Sequence, residues 1–265
     1  MPECVVPVLV DAPRHAALTA ALSYRSQHPL AAGLLVRVPF GKREVAGLTW
    51  RENAEDDPPG GLREIAEVCD ALPALTPAWC ALVEFAASYY QRSVGEIALA
   101  VLPPELRRLG RAALANRVER LRRAFADAVA PDADAAEAPP ELAAEQEGAI
   151  TTIAAAMAGA TPGTALLHGV TGSGKTEVYL QSAERALAAG RQALVLVPEI
   201  NLTPQLIDRF TRRFAGRRIV ALHSGLTPAQ RLRSWLAAQL GLADLVLGTR
   251  LAVFAPLARL GLIVV

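Results

Sequence analysis

The sequence predicts an α/β protein: a parallel sheet with helices on both faces, preceded by a small β-rich domain. Three observations predict it. From Leu142 onward, short runs that are apolar throughout alternate with segments of helical periodicity, the pattern of strands buried on both faces. Residues Gly169 to Thr176 read Gly-Val-Thr-Gly-Ser-Gly-Lys-Thr, set between an apolar run and a helical pattern. The first hundred residues instead carry β-branched runs punctuated by turn residues.

Taken in order, Val5-Val6-Pro7-Val8-Leu9-Val10 reads as a strand. Leu34-Leu35-Val36-Arg37-Val38 reads as a second, ended by Pro39, and Gly41-Lys42-Arg43 as a turn into a return strand from Glu44 to Trp50. This is a hairpin pattern. Pro58-Pro59-Gly60-Gly61 is a loop. Pro77 to Gln91 is an amphipathic helix, with Pro77 at the first turn where its missing N–H costs nothing. Its apolar positions are Trp79, Leu82, Val83, Phe85, Ala86 and Tyr89. Trp50, Trp79 and Trp235 fit core or interface positions better than base-stacking ones.

Arg111 to Ala130 is a second helix, with Leu114, Val118, Leu121, Phe125 and Val129 at helical spacing. Arg117, Arg120, Arg122 and Arg123 fall largely off that stripe. They form either a solvated face with Glu119 interleaved or a phosphate-contacting face. Pro131 to Pro140 is acidic, poor in bulky apolar residues and bounded by prolines, so it reads as a flexible linker. Beyond it, strands are expected near 165–168, 193–197, 218–222, 244–247 and 261–265, and helices at about 176–189, 203–214 and 228–240. Three segments follow: a β-rich domain over 1–103, a helix and linker over 104–141, and an α/β lobe over 142–265.

The Gly-rich string is a complete Walker A phosphate-binding loop. The apolar run Ala165-Leu166-Leu167 before it and the helical pattern from Thr176 through Tyr179, Leu180, Ala183 and Leu187 supply the strand–loop–helix context the motif needs. Gly169, Val170, Thr171, Gly172, Ser173 and Gly174 would turn backbone N–H groups toward one anion, and the helix N-terminus adds partial positive charge. Lys175 would reach the β- and γ-phosphates of ATP, and the Thr176 hydroxyl would hold Mg²⁺. Such a site also needs a carboxylate at the C-terminal end of a neighbouring strand. The last residues, Leu260-Gly261-Leu262-Ile263-Val264-Val265, are an apolar strand with no acid after it, so the chain is expected to stop one residue short of that acid. The alternative is a natural terminus with another carboxylate serving.

Composition excludes several classes. At 265 residues and 52% apolar the chain can build two cores, and no apolar run approaches the ~20 residues of a membrane span. Met1-Pro2-Glu3-Cys4 does not begin a secretory signal. Cys4, Cys69 and Cys80 are widely spaced, which suggests neither disulfides nor zinc in this stretch and fits a reducing cytoplasm. Net charge is only +1, so any nucleic-acid role rests on local clusters. Lys42 and Lys175 are the only lysines.

Further strings carry a family resemblance. Leu196-Val197-Pro198-Glu199-Ile200-Asn201-Leu202-Thr203-Pro204-Gln205 is followed by Leu222-His223-Ser224-Gly225-Leu226 and by Gly248-Thr249-Arg250. Glu145-Gln146 stands before a helix upstream of the loop, and Val36-Arg37-Val38-Pro39-Phe40-Gly41-Lys42 lies near the start. Together they resemble the PriA (primosomal protein N′) family of replication-restart helicases, over the N-terminal domain and nearly all of the first helicase lobe. The resemblance implies a P-loop helicase lobe behind a β-rich domain that captures a nascent 3′ DNA end at a stalled fork. It implies that Gln146 reads the adenine edge. Pro198, Glu199, Thr203 and Gln205 would lie along single-stranded DNA, with Gly248, Thr249 and Arg250 as a second strand-contacting motif. Tyr24 and Lys42 would serve the 3′ end. His223 could touch DNA or phosphate, but a structural role is the simpler reading.

The departures count too. Leu22-Ser23-Tyr24 stands where the family has Phe-Asp-Tyr, and Leu251 where Ser is frequent. Glu105 to Glu141 is too short for the family's winged helix. The family continues past Val265 with Asp-Glu-Glu-His, a cysteine-rich zinc-binding region and a second lobe with an arginine finger. The resemblance therefore implies an ATP-dependent 3′→5′ DNA helicase of replication restart. Its partners are forked and single-stranded DNA, other primosome and restart proteins, with single-stranded DNA-binding protein among the candidates, and no membrane. This chain alone is expected to bind nucleotide but hydrolyse it negligibly. The alternatives are a non-catalytic fork-binding module and another helicase-like translocase; the Val-Pro-Glu-Ile and Thr-Pro-Gln strings argue against the latter.

Overall fold

The β-branched residues near the start alternate in burial as a half-buried strand should. In the computed structural model Val6, Val8 and Val10 point into one core while Val5 is exposed. The structure describes residues 4–10, 21–51, 61–127, 140–159 and 161–265. Residues 58–60 of the predicted loop, 131–139 of the predicted linker and 128–130 of the second predicted helix lie outside these.

The strand β1 (Cys4–Val10) pairs antiparallel with β2 (Leu22–Ser26) and with β4 (Arg43–Thr49). The predicted hairpin is β3 (Leu35–Phe40) and β4, in register from Leu35 opposite Leu48 to Phe40 opposite Arg43. Two short strands, β5 (Arg63–Glu64) and β6 (Glu67–Val68), complete a six-stranded sheet of order β5-β2-β1-β4-β3-β6. Tyr24, Val36 and Val38 join the β1 valines in its core. β2 was legible only as a motif, and β5 and β6 are too short to leave a pattern.

Helix α1 (Pro77–Tyr90) starts where Pro77 predicts, with Thr76 accepting from Trp79 N at 3.2 Å as its cap. It buries Trp79, Val83 and Ala86, but Phe85 and Tyr89, expected on the apolar face, are exposed. A short helix α2 (Val94–Ala100) follows, then α3 (Arg111–Asp127), whose first amide donates to Glu67 Oε2 at 2.7 Å. Trp50, Trp79 and Trp235 are all buried.

Helix α4 (Ala144–Ala158) precedes the phosphate loop. Glu145 and Gln146 thus sit inside its first turn rather than before it. The strand expected near 165–168 is not formed. Residues 162–170 pair with no neighbour, and Leu166 is 90% exposed. A strand is held by its neighbour's ladder, and this run has no neighbour in the sheet. The lobe's sheet closes without it.

That sheet holds β7 (Gln192–Leu196), β8 (Ile219–Leu222), β9 (Leu245–Gly248) and β10 (Leu260–Val264), all parallel, in the order β10-β7-β9-β8. Helices α5 (Lys175–Ala188) and α6 (Pro204–Arg213) pack Leu180, Leu187, Phe210 and others on Ala193, Val195, Leu245 and Leu247. Leu194 and Val246, facing the other way, are equally buried. Both faces are therefore covered, as runs apolar throughout predict. Helix α7 (Pro228–Gln239) starts at a capping box of Thr227 and Gln230.

The chain forms two compact units. One comprises Met1–Ala126 with Leu226–Leu240 and Phe254–Pro256; the other comprises Asp127–Gly225, Gly241–Val253 and Leu257–Val265. In the first, Gln239 Nε2 donates to the Pro73 carbonyl at 2.8 Å and Trp79 Nε1 to the Phe254 carbonyl at 2.9 Å. So α7 belongs with the N-terminal unit, although it is part of the predicted lobe by sequence.

Candidate nucleotide and DNA site

The loop from Gly169 to Gly174 turns through two glycines in the left-handed region, Gly172 at φ +85° and Gly174 at φ +77°. Only glycine takes that conformation without strain. A side chain at Gly174 would also strike Gln146, and one at Gly169 would meet Ser173 Oγ at 2.6 Å. Gly174 is the residue before α5, so Lys175 and Thr176 open that helix and its free N–H groups face the loop.

Two long side chains converge on the loop. Lys175 Nζ donates to the Gly169 carbonyl and, at 2.8 Å, to the Val170 carbonyl. Gln146 accepts from Ala143 N at 2.9 Å through Oε1 and donates to the Ser173 carbonyl at 3.1 Å through Nε2. One amide thus ties the start of α4 to the phosphate loop. The first-turn acid Glu177 does not confront an anion there. Its carboxylate accepts from Arg213 at 3.2 Å and from Gln181 at 3.0 Å. Lysine and helix N-terminus are a donor set that fits a triphosphate, with the nearby acid paired to Arg213.

The two motifs expected to contact a DNA strand lie at the C-terminal ends of two paired strands, with Leu196 of β7 opposite Gly248 of β9. After β7, Pro198 leads into a 3-10 turn over Glu199–Asn201. Thr203 then caps α6, accepting from Leu206 N at 3.3 Å, and Gln205 is exposed in its first turn. After β9, Gly248 and Thr249 are buried, while Arg250 is 87% exposed on its side chain. Arg250 Nε reaches Glu199 Oε1 at 3.2 Å, so the two motifs meet. A backbone hydrogen bond at Glu199, then Arg250, holds that carboxyl below its usual range. His223 Nδ1 accepts from Gly225 N at 3.2 Å, a local turn role.

In the N-terminal unit Lys42 is exposed at the β3–β4 turn. Tyr24 is 4% exposed, and its hydroxyl donates to the Pro39 carbonyl at 3.1 Å. Burial raises its pKa, against an opposing effect of Arg63. The expectation of Tyr24 at a nucleotide therefore meets a ring packed in the sheet core. Sequence reasoning missed an exposed aromatic group on α1: Phe85 stacks on Tyr89 at 6.0 Å, and Tyr89 meets Tyr90 edge-on at 5.0 Å. The i, i+4 spacing of Phe85 and Tyr89 was the available signal, but it reads equally well as a core stripe.

Residues 7–103 match the family model of the PriA 3′ DNA-binding domain, and residues 145–265 match the DEAD/DEAH box helicase model. The chain belongs to the PriA family. It is 35% identical over 237 residues to the replication restart protein PriA of Treponema pallidum, covering 88% of this chain and 33% of that protein. It is 32% identical over 236 residues to that of Rickettsia felis, with the same coverage. Against that of Bacillus subtilis it is 52% identical over 100 residues, 38% of this chain and 12% of the relative. The chain thus spans about a third or less of the relatives it matches. A 3′ DNA-binding domain and a helicase domain are joined in it. Among the described residues no helix is long and apolar enough to cross a membrane.

Proposed function

We propose that this chain carries the DNA-capturing and nucleotide-binding parts of an ATP-dependent 3′→5′ DNA helicase. That helicase recognises stalled or abandoned replication forks and starts primosome assembly for replication restart. The carrying observation is the phosphate loop on which Lys175 and Gln146 converge, in a chain that also matches the PriA 3′ DNA-binding domain. In this reading Gly169 to Thr176 hold the triphosphate, Thr176 offers its hydroxyl to Mg²⁺, and Gln146 trades its loop contact for the adenine edge. Pro198, Glu199, Thr203, Gln205 and Arg250 contact mainly phosphate and sugar, so they position a strand without reading its sequence. Lys42 serves the 3′ end. The working segments are 1–103, 104–141 and 142–265, and the partners are forked DNA and other restart proteins in the cytoplasm.

The test is binding of a fluorescent ATP analogue with Mg²⁺ to the purified chain. Saturable binding that Lys175→Ala abolishes is expected. Unchanged binding in that variant removes the assignment of the loop.

A further inference from the structure

Charge in this chain is concentrated in one place. From Arg107 to Asp127 there are seven arginines and two acids, a net +5 in a chain whose total is +1, so the remainder is net acidic. Most of that stretch is α3. Its apolar stripe, Leu114, Val118, Leu121 and Phe125, is buried. Arg117, Arg120 and Arg123 are exposed and three residues apart. Such a spacing winds them along one ridge of the helix, each about 4.5 Å further along the axis. Arg120 Nε leans on the Asn116 carbonyl at 3.3 Å and Arg123 pairs with Glu119 at 2.8 Å. Both are exposed local contacts, of a kind worth well under ~1 kcal/mol. They orient the guanidinium groups without removing them from the surface.

We infer that this ridge is a docking surface for the phosphate backbone of double-stranded DNA. The inference rests on the DNA-binding reading above and adds a further DNA surface to it. Charge complementarity supplies the attraction, because duplex DNA presents one negative charge per ~1.7 Å of axis. The chemistry of the ridge selects the form of nucleic acid. Single strands are held by aromatic stacking as well as by charge, and the aromatic residue of α3, Phe125, is buried. A lipid surface is disfavoured for a similar reason: an interfacial helix inserts its apolar face, and that of α3 is spent inside the fold. α3 also lies in the compact unit that contains the 3′ DNA-binding match. A fork offers a duplex arm beside the 3′ end, so one unit would engage both.

The experiment compares the chain with the variant Arg117→Gln/Arg120→Gln/Arg123→Gln, both checked for fold by circular dichroism. The probes are a blunt duplex of roughly 20 base pairs and a single strand with a free 3′ end, titrated across about 50 to 200 mM salt. The variant is expected to bind the duplex about tenfold or more weakly, with a log–log salt slope shallower by about 2.7, at ~0.9 per lost phosphate contact. Its single-strand binding is expected to stay unchanged. The variant Arg117→Lys/Arg120→Lys/Arg123→Lys keeps the charge, and is expected to keep the duplex slope. Equal duplex affinity and slope in wild type and glutamine variant overturn the ridge while leaving the DNA-binding reading intact. Loss of both probes by the glutamine variant alone overturns it as well, since the effect is then general. Wild type that binds neither probe sinks the DNA-binding reading itself. Binding of anionic vesicles that the glutamine variant loses, with duplex binding unaltered, gives the ridge to a membrane instead.

Discussion

Arg213 ties α6 to α5 through charge, beside the apolar packing of Phe210 and Leu180. Its guanidinium, 7% exposed, reaches Glu177 at 3.2 Å and Glu184 at 3.1 Å. Glu177 is itself nearly buried, whereas Glu184 is half exposed. Removing the arginine would strand the Glu177 carboxylate in a site that water reaches poorly, and breaking a buried pair costs about 3–5 kcal/mol. Glu184 can rehydrate, which sets the expectation for Arg213→Ala at the lower end, about 3 kcal/mol of unfolding free energy. Urea denaturation measures it; a loss under about 1 kcal/mol would place the pair with ordinary surface bridges. None of this was legible in the sequence, where Arg213 is one arginine among many. Lys175, by contrast, stood out because the surrounding string dictates its chemistry. Gln146 was legible as a site residue, but its hold on the Ser173 carbonyl was not, since that contact spans 27 residues.

At the scale of elements, the strands and helices that carry strong periodicity were read to within two residues, except the end of α3, where residues 128–130 lie outside the described ones. β9, β10 and β7 after its first residue, Gln192, are apolar throughout and short, and each lies within one residue of where the sequence puts it. Caps explain the sharp helix starts: Thr76, Thr203 and Thr227 each accept a hydrogen bond from the amide three residues on, and each precedes a proline. The errors have a common cause. The run at 165–168 has the composition of a strand, but a strand exists only through its neighbour, and composition names no neighbour. Phe85 and Tyr89 fit the apolar stripe of α1 by period alone, yet Cys80 and Ala87 took the buried positions. Period fixes which residues share a face and leaves open how wide the buried face is. Motif residues show the same gap between identity and placement. Gly248 and Thr249 were read as touching a DNA strand, and both are buried. A Cβ on Gly248 would lie 3.0 Å from the Leu222 carbonyl, and Thr249 N donates to that carbonyl at 3.2 Å. Their part is to bring the chain out of β9 so that Arg250 emerges at the surface beside Glu199.

By their contacts, the two compact units do not follow the order of the chain. A low-complexity, proline-bounded segment invites a boundary at 131–140, and on that reading the two sides are separate domains. The contacts cross it. α7 belongs to the N-terminal unit, where Gln239 bonds Pro73, Trp79 bonds Phe254, and Arg233 lies over the Phe125 ring at 5.3 Å. These partners are separated by more than a hundred residues, and no local pattern could announce them. They also bury polar atoms that would each lose a hydrogen bond on parting, at about 1–3 kcal/mol apiece when left unsatisfied, beside the apolar cost of uncovering Trp235 and Leu236. A cut within the predicted linker should therefore not separate the halves. The chain carrying a specific protease site between Asp127 and Glu141 is expected, once cleaved, to elute from gel filtration as one species of the intact size. Double substitution of Gln239 and Trp235 by alanine is expected to release the two pieces. If the cleaved wild-type pieces elute apart, the linker marks two independent domains after all. α7 would then belong with the lobe that contains it in sequence.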